Sequence, residues 1–153
     1  MSTGTTAAGL EQKRARLRNR IPGGAQQSPT RGIDHLAVFA KDLEATAEFY
    51  SQVLGMAVVN VTANRDVPES THMNVDLGNG TMISFFDFPH VRRLQRRTPE
   101  GVGGIMHIAL AIAPDRLEEL KANLSRNRVK YQEIGGSVYF KDPNGMGLEL
   151  MPR

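Results

Sequence analysis

The strongest constraint on this chain is an internal repeat. Residues 32–38 (GIDHLAV) match residues 104–110 (GIMHIAL) at a constant offset of 72 positions. Each copy has the pattern of an apolar strand and is followed by a helical stripe and three further strand-like segments. A unit of that size cannot bury its own sheet face alone, so two copies are expected to pair. The sequence therefore predicts an α+β fold of two tandem βαβββ modules that form a paired, partly open barrel.

Turn and cap residues mark the elements of both modules. Asp42 is a suitable N-cap for the first helix, and Gly55 suits the left-handed position after its last turn. In the second module Asp115 is the expected N-cap, and Glu118 completes a capping box. Hairpin turns are predicted at two equivalent places, residues 78–80 (GNG) and 143–145 (PNG). Strands are expected near residues 56–62, 71–77, 81–88, 129–134, 137–141 and 146–151.

The positive charge is concentrated at the N-terminus. Six basic residues and one acid, Glu11, fall within residues 1–31, whereas the remainder holds 13 basic and 15 acidic residues. The folded part therefore has no general electrostatic footprint for nucleic acid. We expect residues 1–30 to be a flexible basic extension, with an oligomer clasp and an organellar presequence as alternatives. The domain over 31–153 divides into module one (31–88), a linker (89–103) and module two (104–153).

Composition excludes several classes of protein. The chain has no cysteine, so disulfides, a thiolate nucleophile and a sulfur-ligated metal are excluded. No apolar run approaches the ~18–20 residues that span a bilayer, and the N-terminus lacks an apolar signal core. We therefore predict a cytoplasmic protein with no membrane partner.

Residues 92–97 hold four arginines, a pattern typical of a solvated turn, with a clamp for an anionic substrate as the alternative.

Three residues have the chemistry of metal ligands. His35 and His107 hold the same place in the two repeats, so pairing about a pseudo-twofold axis would bring them together. Small neighbours on the same strand face, Ala37 and Ala109, leave room beside each imidazole. Glu149 stands between two leucines in the last strand, where a lone buried carboxylate is costly unless it is paired or metal-bound. Two imidazoles and a carboxylate compose a facial triad, so we predict one divalent metal ion held by these three residues.

Two longer segments carry a family resemblance: DHLAVFAKDLEATAEFYSQVLGM (34–56) and YFKDPNGMGLELM (139–151). They resemble the vicinal oxygen chelate superfamily, which includes glyoxalase I, extradiol dioxygenases, fosfomycin-resistance transferases and bleomycin-binding proteins. The resemblance covers about residues 32–151 and implies a glyoxalase-like fold, in which the first and last strands of each module can supply ligands. Ser84 stands where Glu149 stands in the other module. The four-ligand set of glyoxalase I is therefore incomplete, and a set of two histidines and one glutamate is favoured.

The resemblance also implies roles for two further residues. Tyr139 is similar to the tyrosine with which extradiol enzymes hydrogen-bond a metal-bound catecholate, although a plain strand aromatic would look the same. His90 stands seventeen residues before His107, where those enzymes place an acid–base histidine, although an ordinary exposed loop would also suit it. The histidine that usually precedes the tyrosine is absent from residues 130–132. We expect His72 to be structural.

The leading hypothesis is an extradiol-type dioxygenase that acts on a catechol-like diol with Fe(II) or Mn(II). The second hypothesis is a metal-dependent lyase, isomerase or thiol transferase that uses Zn(II), Ni(II), Co(II) or Mn(II). The third is a non-catalytic module that binds a small molecule. The expected partner is a small-molecule substrate. The residues leave open whether the modules pair within one chain or across two chains, and we expect a homodimer.

Overall fold

The computed structural model describes residues 6–24, 28–92, 102 and 104–153. The chain separates into two compact units, 1–32 and 33–153. The first unit contains helix α1 (Ala7–Arg18), which begins where the Thr6 hydroxyl accepts a hydrogen bond from the Gly9 amide. None of the residues in this helix is buried. The flexibility expected of the extension stays a prediction.

Module one is a four-stranded sheet with one helix. Its strands are β1 (His35–Phe39), β2 (Val58–Ala63), β3 (Thr71–Gly78) and β4 (Thr81–Phe86). The strand order is β1-β4-β3-β2, with β1 parallel to β4 and the other neighbours antiparallel. The predicted βαβββ order of this module is confirmed.

The helix of module one has the predicted ends. Helix α2 (Leu43–Glu48) begins after Asp42, whose carboxylate accepts a hydrogen bond of 2.9 Å from the Ala45 amide. It continues as a turn of π-helix over Phe49–Val53. Gly55 follows with a φ of 69°, the left-handed conformation that the sequence predicts after the helix.

Module two repeats this topology. Its strands are β5 (Ile108–Ile112), β6 (Tyr131–Ile134), β7 (Ser137–Lys141) and β8 (Gly147–Pro152), in the order β5-β8-β7-β6. The two sheets remain separate, so the α+β arrangement of paired modules is confirmed and no closed barrel forms among the described residues. The match in topology is the structural counterpart of the sequence repeat.

The predicted start of the second helix is wrong. Pro114 opens a 3₁₀ turn over Pro114–Arg116, and helix α3 (Leu117–Arg126) follows with Arg116 at its N-cap. Asp115 lies inside that turn, so it does not cap the helix, and no capping box with Glu118 forms. The cause is the proline, whose fixed φ suits the first position of a helical turn and moves the start of the helix.

The two modules of one chain pack through module one's helix and module two's last hairpin. Phe49 lies 6.3 Å from Phe140, measured between ring centroids. The Asn144 side chain accepts a hydrogen bond of 3.1 Å from the Lys41 amide and donates one of 3.2 Å to the Thr46 hydroxyl. The predicted linker and arginine clamp lie mostly outside the described residues, which omit 93–101 and 103.

Candidate metal centre

Strand register brings Glu149 to the middle of the second sheet. It is paired with Ala109 on one side and with Tyr139 on the other. Because paired residues in neighbouring strands project to the same face, the Glu149 side chain lies on the face that carries Tyr139. His107 precedes β5 by one residue and shares this face, since residues two apart in a strand point the same way.

His107 and Glu149 form the centre of the candidate site. The Nε2 atom of His107 lies 2.9 Å from Oε2 of Glu149. The carboxylate side chain is only 4% exposed, whereas the imidazole side chain is 35% exposed. The Tyr139 ring lies edge-on to His107, with centroids 5.5 Å apart and planes 86° apart. A cleft of about 990 Å³ runs past His107 and Tyr139.

The carboxylate is held in its charged form by neighbouring donors. The Ser137 hydroxyl hydrogen-bonds Glu149 and is the main cause that lowers the pKa of this carboxyl below its ordinary value. The Tyr139 hydroxyl and His107 lower that pKa further, and together these contacts outweigh the opposing effect of burial. The bond to Glu149 in turn raises the pKa of Tyr139. The site therefore presents an ionised, buried carboxylate beside a protonated phenol.

Ser137 is a site residue that sequence reasoning missed. It is 7% exposed and lies two residues before Tyr139 on β7, so its side chain projects to the same face. In the sequence, the one feature that pointed to Ser137 was its position two residues before Tyr139. Serine is too common at strand ends for that spacing to identify it as a site residue.

In module one the equivalent position has different chemistry. Ser84 is paired with Ala37 and Asn74, the same pattern that Glu149 has with Ala109 and Tyr139. This register agrees with the predicted equivalence of Ser84 and Glu149. The Ser84 hydroxyl hydrogen-bonds the Asn74 side chain at 2.8 Å. Module one therefore offers a neutral hydroxyl and amide where module two offers a carboxylate.

His35 does not join the His107–Glu149 pair within one chain. Its Nδ1 lies 2.7 Å from the Asp34 carboxylate, and its side chain is 53% exposed. Across the described parts of the chain, no cluster of three or more histidine, aspartate or glutamate side chains is placed to hold a metal ion. A single chain thus brings together two of the three predicted ligands.

The remaining histidines, His72 and His90, lie at the end of module one that is away from His35. His90 contacts Phe88, with ring centroids 5.5 Å apart. His72 stacks on Phe86 at 4.4 Å, and its Nε2 is buried without a hydrogen-bond partner among the residues that the structure covers. Among the described residues no ion pair or ring contact joins His90 to Glu149, so the predicted catalytic role of His90 stays a prediction.

Two βαβββ modules, each folded into a four-stranded sheet of the same strand order, define a class of α+β proteins built from a tandem repeat. The sequence profile of the Glyoxalase/Bleomycin resistance protein/Dioxygenase superfamily matches residues 32–150. The chain belongs to this superfamily, which is the vicinal oxygen chelate group that the sequence resembles.

Curated relatives show the range of the superfamily. The protein named "Putative ring-cleaving dioxygenase MhqE" from Bacillus subtilis is 37% identical over 130 residues, which are 80% of this chain and 41% of that protein. The Arabidopsis thaliana "Lactoylglutathione lyase GLX1" is 30% identical over 126 residues, covering 78% of this chain and 43% of that one. The chain thus spans about two fifths of the length of these relatives.

A solved structure supports the fold. The fosfomycin resistance protein FosX from Listeria monocytogenes, complexed with Mn(II) and sulfate, aligns with a TM-score of 0.63 at 22% identity. The alignment covers 81% of this chain and 93% of FosX. Within the described ranges no helix is long and apolar enough to cross a membrane.

Proposed function

We propose that this chain is a metal-dependent dioxygenase of the extradiol type that acts on a catechol-like diol. The observation that carries the proposal is the ionised, buried Glu149 in contact with His107, with Tyr139 edge-on beside them. The similarity to MhqE, whose name is "Putative ring-cleaving dioxygenase MhqE", supports the choice of reaction. The substrate would be a small molecule that enters by the cleft past His107.

The donor atoms fit a divalent metal ion. An imidazole nitrogen and a charged carboxylate oxygen already lie 2.9 Å apart, and a chain without cysteine offers no thiolate in competition. Such nitrogen and oxygen ligands suit Fe(II) and Mn(II), and they also accept Zn(II), Ni(II) or Co(II). We propose Fe(II) or Mn(II), with His107, Glu149 and His35 as the ligands.

We propose that a homodimer completes the site. In one chain the modules pack through α2 and the last hairpin, an arrangement that leaves His35 out of the His107–Glu149 pair. Part of each of these faces is exposed, since Ala37 and Ala109 are both exposed although Ser84 and Glu149 beside them are buried. A second copy can bring its His35 face against the His107 face and supply the third ligand.

The protein's own groups have separable roles in this proposal. A bound iron or manganese ion would supply the redox chemistry of ring cleavage. Tyr139 would donate a hydrogen bond to a substrate oxygen, because its ring stands beside His107 and a tyrosine hydroxyl is a protonated donor at neutral pH. Glu149 and His107 would fix the position of the ion. His90 remains the proposed proton carrier, as the sequence suggests.

A second candidate function keeps the metal and drops the oxygen chemistry. The 30% identity with a lactoylglutathione lyase favours a lyase, isomerase or transferase that uses the metal as a Lewis acid. Ser84 in place of a fourth carboxylate ligand separates this chain from the four-ligand pattern that the resemblance assigns to glyoxalase I. A third candidate is a binding module without turnover.

The decisive experiment is an anaerobic preparation with Fe(II), followed by addition of 2,3-dihydroxybiphenyl or catechol in air-saturated buffer. We expect a yellow ring-cleavage product with matching oxygen uptake. Tyr139→Phe should lower turnover, whereas Ser51→Ala, at a hydroxyl that bonds carbonyl groups of its own helix, should not. The absence of product and of oxygen uptake would overturn the proposal.

Firmly bound zinc or nickel in the purified protein would favour the second function. The cytoplasmic location stays a prediction that cell fractionation can test.

A further inference from the structure

We propose that Gly147 is a positioning residue that lets His107 reach Glu149. It is the first residue of β8, and it lies against the segment that leads into β5. A Cβ atom built on Gly147 would lie 2.7 Å from the carbonyl oxygen of Met106 and 3.2 Å from Cβ of His107. Real Cβ atoms do not approach other heavy atoms as closely as the first of these distances, so any side chain at 147 must displace something.

The requirement for glycine here is one of space. Gly147 is not among the residues with positive φ, whereas Gly145 in the preceding turn has a φ of 90°. The backbone of Gly147 is therefore accessible to alanine, and only the collision with the neighbouring segment excludes a side chain.

The other module shows what a side chain changes at this position. Met82 of β4 is paired with His35, and it occupies the place that Gly147 occupies beside His107. In module one the histidine contacts Asp34, its neighbour in sequence, rather than Ser84 on β4. In module two no side chain stands at this place, and Nε2 of His107 lies 2.9 Å from Oε2 of Glu149.

A side chain added at position 147 would displace His107 rather than strand β8. Strand β8 is held by hydrogen bonds on both sides, from β5 and β7, so it is the firmer partner. Residues 104–107 precede the paired part of β5, and Met106 is 72% exposed. Because this segment can move more easily than β8, the displacement falls on Met106 and on the histidine attached to it.

The test compares Gly147→Ala with Gly55→Ala. Gly55 has a φ of 69° and open space around its Cα, so alanine there strains the turn after α2 without touching His107. We expect Gly147→Ala to weaken Mn(II) binding, followed by the EPR signal of free Mn(II), by about tenfold or more. We expect Gly55→Ala to bind Mn(II) within twofold of the unchanged protein.

A second measurement uses the metal-free protein. It is needed because the Mn(II) binding measurement rests on the proposed function. Nuclear Overhauser contacts between the His107 and Tyr139 rings should be present in the unchanged protein and in Gly55→Ala, and lost in Gly147→Ala. If the unchanged protein binds no Mn(II), the proposed metal site fails while the ring contacts still test Gly147. Retained ring contacts in Gly147→Ala, or unchanged Mn(II) affinity where the unchanged protein binds the ion, would overturn the inference.

Should Gly147→Ala fail to fold, an experimental structure of the unchanged protein decides the matter. A Cβ built on Gly147 that lies further than 3.4 Å from the Met106 oxygen would overturn the inference, since ordinary contact begins at that distance. A shorter distance would support it.

Discussion

Tyr50, in the helical segment of module one, donates a hydrogen bond of 3.3 Å from its hydroxyl to the Asp142 carboxylate of module two. Tyr50 is fully buried and Asp142 is 5% exposed, so the bond crosses the interface between the modules away from water. Asp142 also accepts from the amides of Asn144 and Met146, which closes the last hairpin. One carboxylate thus shapes the hairpin before β8 and ties it to module one.

Removing the Tyr50 hydroxyl should weaken the contact between the two modules and lower the free energy of unfolding. In Tyr50→Phe the buried carboxylate loses one donor, which costs about 1–3 kcal/mol of unfolding free energy. Urea denaturation at neutral pH measures the loss. Tyr131→Phe serves as the control, because Tyr131 is half-buried and no hydrogen bond of its hydroxyl is found among the described residues. Equal midpoints for the two variants would contradict the role given to Tyr50.

The charge on Glu149 should make the metal-free protein sensitive to acid. The pKa of Glu149 is lowered in the folded state, mainly by Ser137, relative to about 4.3 in an unfolded chain. Its stabilising effect is therefore complete above the unfolded pKa and is lost as pH falls through the folded pKa. Between pH 6 and pH 3 the urea midpoint should fall further for the unchanged protein than for Glu149→Gln. Glu69→Gln, at an exposed loop position, should behave like the unchanged protein. Parallel curves for all three proteins would refute this.

Mixing two inactive variants should reveal whether the metal site is shared between chains. His35→Ala and His107→Ala each lack one ligand in every site of their own dimers. A mixed dimer with a shared site would combine His35 from one chain with His107 and Glu149 from the other, which restores one complete site. We expect about half of the normal Mn(II) capacity per mixed dimer after the two variants are unfolded and refolded together. Separate refolding of each variant is the control, and no gain on mixing would show that the site is not shared.

The Ser137 hydroxyl should matter for metal affinity although it is not a ligand. Ser137→Ala removes the main cause of the lowered pKa of Glu149, so the carboxylate becomes less ordered and easier to protonate. Outer contacts of this kind typically change affinity by about 10–100-fold, and we expect about tenfold weaker Mn(II) binding by EPR. Ser51→Ala is the matched control, because within the described part of the chain the Ser51 hydroxyl bonds carbonyl groups of its own helix and no other group. Unchanged binding in Ser137→Ala would show that the hydroxyl is dispensable.

Much of the fold follows from local patterns. The repeat at an offset of 72 predicted two βαβββ modules, and both sheets have the same strand order. Asp42 and Gly55 act at the ends of the first helix as their chemistry predicts. The second helix departs from its prediction because Pro114 opens a 3₁₀ turn, a preference that overrides the cap expected of Asp115.

The candidate site is divided between what the sequence could and could not predict. The His107–Glu149 contact was expected from repeat position and hairpin motif, and the equivalence of Ser84 followed from alignment of the two hairpins. Ser137 and Gly147 were not predicted, because their roles in the site depend on distances between neighbouring strands. A serine or a glycine in a strand has no distinctive pattern until its neighbours are known.

The sequence by itself determined the two modules, the order of their elements along the chain and the two candidate ligands within module two, because each depends on periodicity, turn chemistry and position along one chain. Only the tertiary structure decided which faces of the modules meet. The buried contacts of Tyr50 with Asp142, and of Phe49 with Phe140, join helix to hairpin and leave His35 apart from His107. Module pairing depends on complementary packing over many side chains, and the repeat, being the same in either arrangement, carries no information about it.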